Sequence, residues 1–171
     1  MKSTICMLTL AVAMLPISAV ESQVAPFTLA GSAAGSTFYY TDFSDGEFGG
    51  WTSSENIQQD SMPFNDREEM WVAILPNAAP PGSVSSPAMP FKRGAYNLEI
   101  IGRCMVVGQT VDVEFFIGER SIGRSWFAYE ESTAKRAFYV EEDMEGELTV
   151  TVAGGTAPML ALAEVIILGP M

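Results

Sequence analysis

Two stretches hold the residue types that could do chemistry. The first is 39–51, YYTDFSDGEFGGW, where Asp42 and Asp45 lead through Asp45-Gly46 and Gly49-Gly50 to Trp51. It reads as the end of an opening strand, an acidic glycine-rich turn and an aromatic return. The second is Ser121 to Tyr129, SIGRSWFAY, which sets Arg124, Trp126 and Tyr129 close together between turn residues. Flat aromatic faces stack on sugar rings, and an arginine beside them can bond hydroxyls. With Tyr139 these form the expected ligand-binding set, Trp126, Tyr129, Arg124 and Tyr139, of which Trp126 is the leading candidate. Trp51 and Trp71 are expected to pack in the core.

Catalysis has less to stand on. The chain has no histidine, so it lacks the side chain that titrates near neutral pH and can form no Ser-His or Cys-His pair. Carboxylates are plentiful but lie in turns and runs, and no pair is set apart by pattern as an acid–base couple. There is no glycine-rich phosphate loop and no Cys/His metal cluster. The sequence reads as a binding or structural protein rather than an enzyme.

Asp plus Glu number 21 against 9 Lys plus Arg, a formal charge of -12. Such a surface repels phosphate backbones and anionic lipid heads, which argues against a nucleic-acid partner. It suits calcium, a cationic partner or plain solubility. Hydrophobic residues make up 48% of the 171, enough to fill the core of one domain.

The elements that must position these residues are strands. Tyr96, Leu98 and Ile100 alternate with polar residues, as do Val111, Val113 and Phe115, and Leu148, Val150 and Val152. That period of two puts one face on a core and one toward water. Phe38 to Phe43, Met70 to Leu75, Arg124 to Tyr129, Arg136 to Val140 and the apolar run Leu160 to Leu168 are further strands. Asn56 to Arg67 reads as polar loop, Val84 to Met89 as a short edge strand after a proline-rich stretch, and Glu141 to Glu147 as solvated loop. No window has a helical period. Short strands at this spacing predict an all-β fold, a jelly-roll β-sandwich of two antiparallel sheets.

The domain layout follows. Residues 1–20 read as a signal peptide: Lys2, an apolar run from Ile5 to Leu15, Pro16, then Ile17-Ser18-Ala19. The run is too short to span a bilayer, so no stable membrane insertion is expected after cleavage; an uncleaved arm is the alternative. Residues 21–37 form a leader or loose first strand, and 38–171 a single sandwich. Cleavage after Ala19 leaves Cys104 as the one cysteine, which excludes an internal disulfide. The expected location is secreted, extracellular or at the cell surface.

Four segments carry a resemblance. DFSDGEFGGW, SSPAMPFKRGAYNLEI, Val111 to Ile117 and LALAEVIILG resemble the opening motif, middle, core strand and closing strand of the galactose-binding-like jelly rolls, which include many carbohydrate-binding modules. The resemblance covers about 38–169. It implies a non-catalytic, lectin-like domain that recognises a glycan. It also implies a structural calcium joining the first and last strands, for which the matching acids are Asp42, Asp45 and Glu164. Glu164 departs from the aspartate usual in the family. The competing reading is a self-assembling structural protein of a cell surface, extracellular matrix or virion, whose partner is copies of itself.

Overall fold

A computed structural model describes residues 36–43, 48–64, 67–130 and 133–171. The expected signal segment, most of the leader and Asp45 lie outside them. In chain order the strands are β1 (Thr37–Thr41), β2 (Thr52–Ser53), β3 (Gln58–Phe64) and β4 (Arg67–Pro76). Next come β5 (Ser83–Ser85), β6 (Met89–Phe91), β7 (Gly94–Cys104), β8 (Thr110–Ile117) and β9 (Arg120–Ala128). The last four are β10 (Thr133–Val140), β11 (Met144–Gly146), β12 (Leu148–Gly155) and β13 (Met159–Leu168). The described residues include one 3-10 turn, Phe48–Gly50, and no α-helix.

One sheet runs β10-β7-β13-β4-β3, with β1 also on β13. A second runs β2-β5-β12-β8-β9, and β11 and β6 form a small pair. Every pairing is antiparallel. The period-two segments do what their pattern requires. On β7, Tyr96, Leu98 and Ile100 point inward and are buried; on β8 and β12, Val111, Val113, Phe115, Leu148, Val150 and Val152 meet them in one core. β13 is apolar on both sides because it is central: it lies between β7 on one side and β1 and β4 on the other. Trp51 packs as expected, its indole N–H donating to the Tyr39 hydroxyl at 2.7 Å.

Three segments of the sequence reading turn out otherwise. Asn56 to Arg67 contains β3, an edge strand hydrogen-bonded only to β4. Wet on most of its length, it shows no alternation, and an edge tolerates Pro63. Val84 to Met89 is not one strand: it holds most of β5 and the start of β6, separated by buried Ser86. The Ser86 hydroxyl accepts from Leu148 N at 2.9 Å and donates to Pro87 O at 2.8 Å. The acidic run holds β11, whose exposed Glu145 keeps it solvated while its backbone pairs with β6.

Candidate functional site

The four expected ligand residues fall in three places. Arg124 and Trp126 stand together on the solvent face of the β2-β5-β12-β8-β9 sheet. Cross-strand neighbours share a face, and here they form ranks: Gly154, Asp112 and Trp126 in one, Ser83, Thr151, Glu114 and Arg124 in the next. A third rank holds Ser85, Thr149, Phe116 and Ser121. The intervening residues, Val84, Val150, Val113 and Phe115, are buried beneath.

This face is polar and tied together. Arg124 Nε and Nη2 both donate to Glu114 Oε2, at 3.0 and 2.7 Å, and Ser121 Oγ donates to Oε1 at 2.8 Å. Arg124 first, then Ser121, hold the Glu114 carboxyl below the usual carboxylate range. The hydroxyls of Ser83 and Thr151 pair at 3.0 Å, and those of Ser85 and Thr149 at 2.8 Å. Trp126 rises at one side of this floor with 54% of its surface exposed. Gly154, at a bulge with φ 145°, leaves the rank beside Asp112 without a side chain. An extended ring system laid across the ranks meets one large aromatic face and a row of donors and acceptors.

Tyr129 lies beyond the end of β9. The Arg103 guanidinium sits over its ring at 5.3 Å and over Phe64 at 4.8 Å. That contact belongs to a second buried cluster, Phe64, Met70, Val72, Ala161 and Ala163, on the other side of the β10-β7-β13-β4-β3 sheet from the main core. Tyr139 is on β10, in that same sheet. Neither joins Trp126.

Of the expected metal set, Asp42 and Glu164 are described and Asp45 lies outside the described residues. β1 runs beside β13 with Thr41 opposite Val165, so Asp42 follows on next to Glu164. β4 leaves β13 at Leu162 and β1 joins at Val165, so Glu164 stands in the fork between them. It is only 3% exposed, and Arg67 Nη1 reaches across the fork to donate to its Oε1. Burial first, then the charges of Glu164 and Asp42, push the Tyr40 hydroxyl above the ordinary tyrosine range. Among the described residues no three acidic, histidine or cysteine side chains converge as a metal site. Of the described acids expected to hold calcium, Glu164 carries the Arg67 guanidinium.

Trp71 was expected in the core and is 40% exposed. With Asp42, Arg67, Glu69 and Met70 it lines a cavity of about 120 Å³ at the fork. The apolar run after it disguised this. The signal was the preceding Arg67-Glu68-Glu69, which marks where the strand leaves the core.

No family model matches the chain, and no curated protein matches it. Solved structures do. The CBM22-1 xylan-binding domain of Paenibacillus barcinonensis Xyn10C aligns at TM-score 0.59 and 12% identity, over 81% of this chain and 97% of that one. The module CBM6cm-2 of Cellvibrio mixtus lichenase 5A, solved with cellotriose, aligns at TM-score 0.53 and 12% identity, over 79% and 99%. The C-terminal family 22 module of Clostridium thermocellum Xyn10B, described for the role of its cleft residues in ligand binding, aligns at 0.53 and 11%, over 81% and 98%. The architecture is therefore that of the carbohydrate-binding-module β-sandwiches.

Proposed function

We propose that the protein is a secreted, non-catalytic module that binds a neutral polysaccharide on the sheet face centred on Trp126. The observation that carries this is the exposure of Trp126 on a face whose other side chains, apart from half-buried Phe116, are Ser, Thr, Asp, Glu and Arg. A large ring in water is costly to leave bare. A pyranose laid on it covers the ring, while its hydroxyls meet Asp112, Ser121 and the Glu114–Arg124 pair. A xylan-binding domain and a module solved with cellotriose, both of the same architecture, make β-linked xylans and glucans the first polymers to try. The test is migration through native gels containing soluble xylan or β-glucan, beside a measurement of solution mass. Retardation of a monomer is the expected result. Free migration in every neutral polymer, together with a large ordered oligomer, would replace this reading with self-assembly.

Binding should be insensitive to pH over the neutral range. The chain has no histidine, and Glu114 stays ionised because its folded pKa is depressed. Affinity measured by calorimetry should be level from about pH 8 to about pH 5 and fall only as pH drops through the lowered Glu114 value. A midpoint near neutrality would contradict the assignment of Glu114 to the site.

Calcium at the opening turn would have to compete with Arg67 for Glu164. We read Glu164 as held by the arginine, so chelation should leave the unfolding midpoint where it was. Arg67→Ala should lower it by several degrees, because it strands a buried carboxylate. Adding Glu164→Gln to that variant should recover much of the loss. A midpoint that falls with chelator would restore the metal.

A further inference from the structure

The geometry points to a second binding site, for an acidic sugar, where Arg93, Arg120 and Tyr139 meet at the seam between β9 and β10. Its starting point is where the cations go. Of the nine Lys and Arg residues, Lys2 lies outside the described part. Arg67, Lys92, Arg124 and Lys135 each pair with a carboxylate. Arg103 is sandwiched between Phe64 and Tyr129. The remaining three are Arg93, Arg120 and Arg136, and among the described residues none has a carboxylate within ion-pair distance. In a chain of charge -12, unpaired cations scattered at random would find acids. These three instead share one seam.

Acids lie nearby, with Glu119 before Arg120 and Glu141 beyond Tyr139, but the guanidiniums bond elsewhere. Asp143 accepts from Lys92 Nζ at 2.8 Å and from Arg93 N at 2.9 Å. It fixes the turn before β7 and is spent on the lysine, which leaves the Arg93 guanidinium to donate from Nε to the Tyr139 hydroxyl at 3.4 Å. From the other sheet, Arg120 Nη1 donates to the Tyr139 carbonyl at 3.4 Å. Further along, Arg136 lies across the seam and donates to the carbonyls of Arg124 and Lys135. Arg120 and Arg124 face Ile117 and Glu114 of β8 across a bulge, so the Arg120 and Arg136 contacts lie about 10 Å apart along the seam.

Tyr139 supplies the ring. It is 47% exposed, and both guanidiniums that touch it retain N–H groups not used in these bonds. A guanidinium presents five donors in a planar fork that matches a carboxylate or sulfate. A sugar stacked on Tyr139 with such an oxyanion at its rim satisfies both parts at once. The ligand class is therefore a glycan carrying uronate or sulfate groups. The chain's overall negative charge opposes a polyanion, but screening confines that opposition to roughly a Debye length, about 8 Å at physiological salt.

This inference borrows from the glycan-binding reading only the class of ligand, and it uses different residues on a different part of the surface. Four proteins should be run through native gels and calorimetry: the wild type, Arg93→Gln/Arg120→Gln, Tyr139→Ala and Trp126→Ala. The polymers are polygalacturonate, dextran sulfate and xylan. The expected result is retention of the wild type by at least one of the two acidic polymers, with affinity that falls as salt rises. The double variant should lose about tenfold or more, and Tyr139→Ala severalfold, while Trp126→Ala keeps its acidic-polymer affinity. Whether polygalacturonate or dextran sulfate is preferred decides between carboxylate and sulfate. Circular dichroism and the unfolding midpoint confirm that the variants are folded, and Arg93→Lys/Arg120→Lys, which keeps the charge, should recover part of the affinity. No retention of the wild type on either acidic polymer would overturn the inference, as would equal retention of the folded double variant. A wild type that is retained by an acidic polymer but not by xylan would count against the Trp126 site and leave this one standing.

Discussion

Trp126→Ala should weaken binding to neutral polysaccharide by about 30-fold or more, equivalent to roughly 2 kcal/mol, the loss typical when a central aromatic anchor is truncated. The size follows from how little else on that face can replace it. The remaining groups, Asp112, Glu114, Arg124 and Ser121, make hydrogen bonds that water also makes, so each contributes modestly to net affinity. The ring contributes area. Because its exposure places it outside the packed interior, the substitution should change stability by no more than about 0.5 kcal/mol. Trp126→Phe should keep part of the affinity. Tyr129→Ala should leave it unchanged, since Tyr129 is engaged with Arg103 away from this face. Calorimetry on the polymer that retards the wild type measures all three. Wild-type affinity in Trp126→Ala would remove the site.

Tyr96→Ala should cost about 3–5 kcal/mol in denaturant unfolding, the range for emptying a buried aromatic position. Tyr96 is fully buried at the centre of the aromatic group: Phe138 stacks on it at 5.3 Å, Phe91 meets it edge-on at 5.4 Å and Phe38 at 5.5 Å. Its hydroxyl also closes a local loop, donating to Lys92 O and accepting from Lys92 N, both at 2.9 Å. Tyr96→Phe keeps the rings and removes that hydroxyl, leaving two backbone groups without their partner, so it should cost about 1–3 kcal/mol. The same loop orients Arg93. Tyr96→Phe should therefore lower affinity for the acidic polymer while xylan affinity stays put. A stability change below about 0.5 kcal/mol in the phenylalanine variant would show that solvent replaces the hydroxyl freely.

Much of the sandwich could be read from residue order because its central strands bury one face at a time. Tyr96, Leu98 and Ile100 announce their side by alternation, and β13 announces its central place by having no polar side except Glu164. β3 could not be read this way, because an edge strand with water on most of its length has no reason to alternate. The site divided along similar lines. Arg124 and Trp126 are two apart on a strand and so share a face, which is what spacing can show. Trp126 and Tyr129 are three apart, and by Tyr129 the strand has ended. Tyr139 belongs to the other sheet. The Arg67–Glu164 pair joins positions 97 residues apart, and no local pattern marks such a partner. Arg93, Arg120 and Arg136 come from three separate segments, and only the meeting of two sheet edges makes them neighbours.

The central place of β13 bears on how the protein is made. Its partners β1, β4 and β7 all precede it in the chain, so during synthesis each waits with an unfilled edge until residue 168 has left the ribosome. Pairings this distant in sequence close slowly, and open edges invite aggregation meanwhile. Nascent chains arrested short of Met159 should stay protease-sensitive and bind chaperones, and chains released beyond Leu168 should become resistant in one cooperative step.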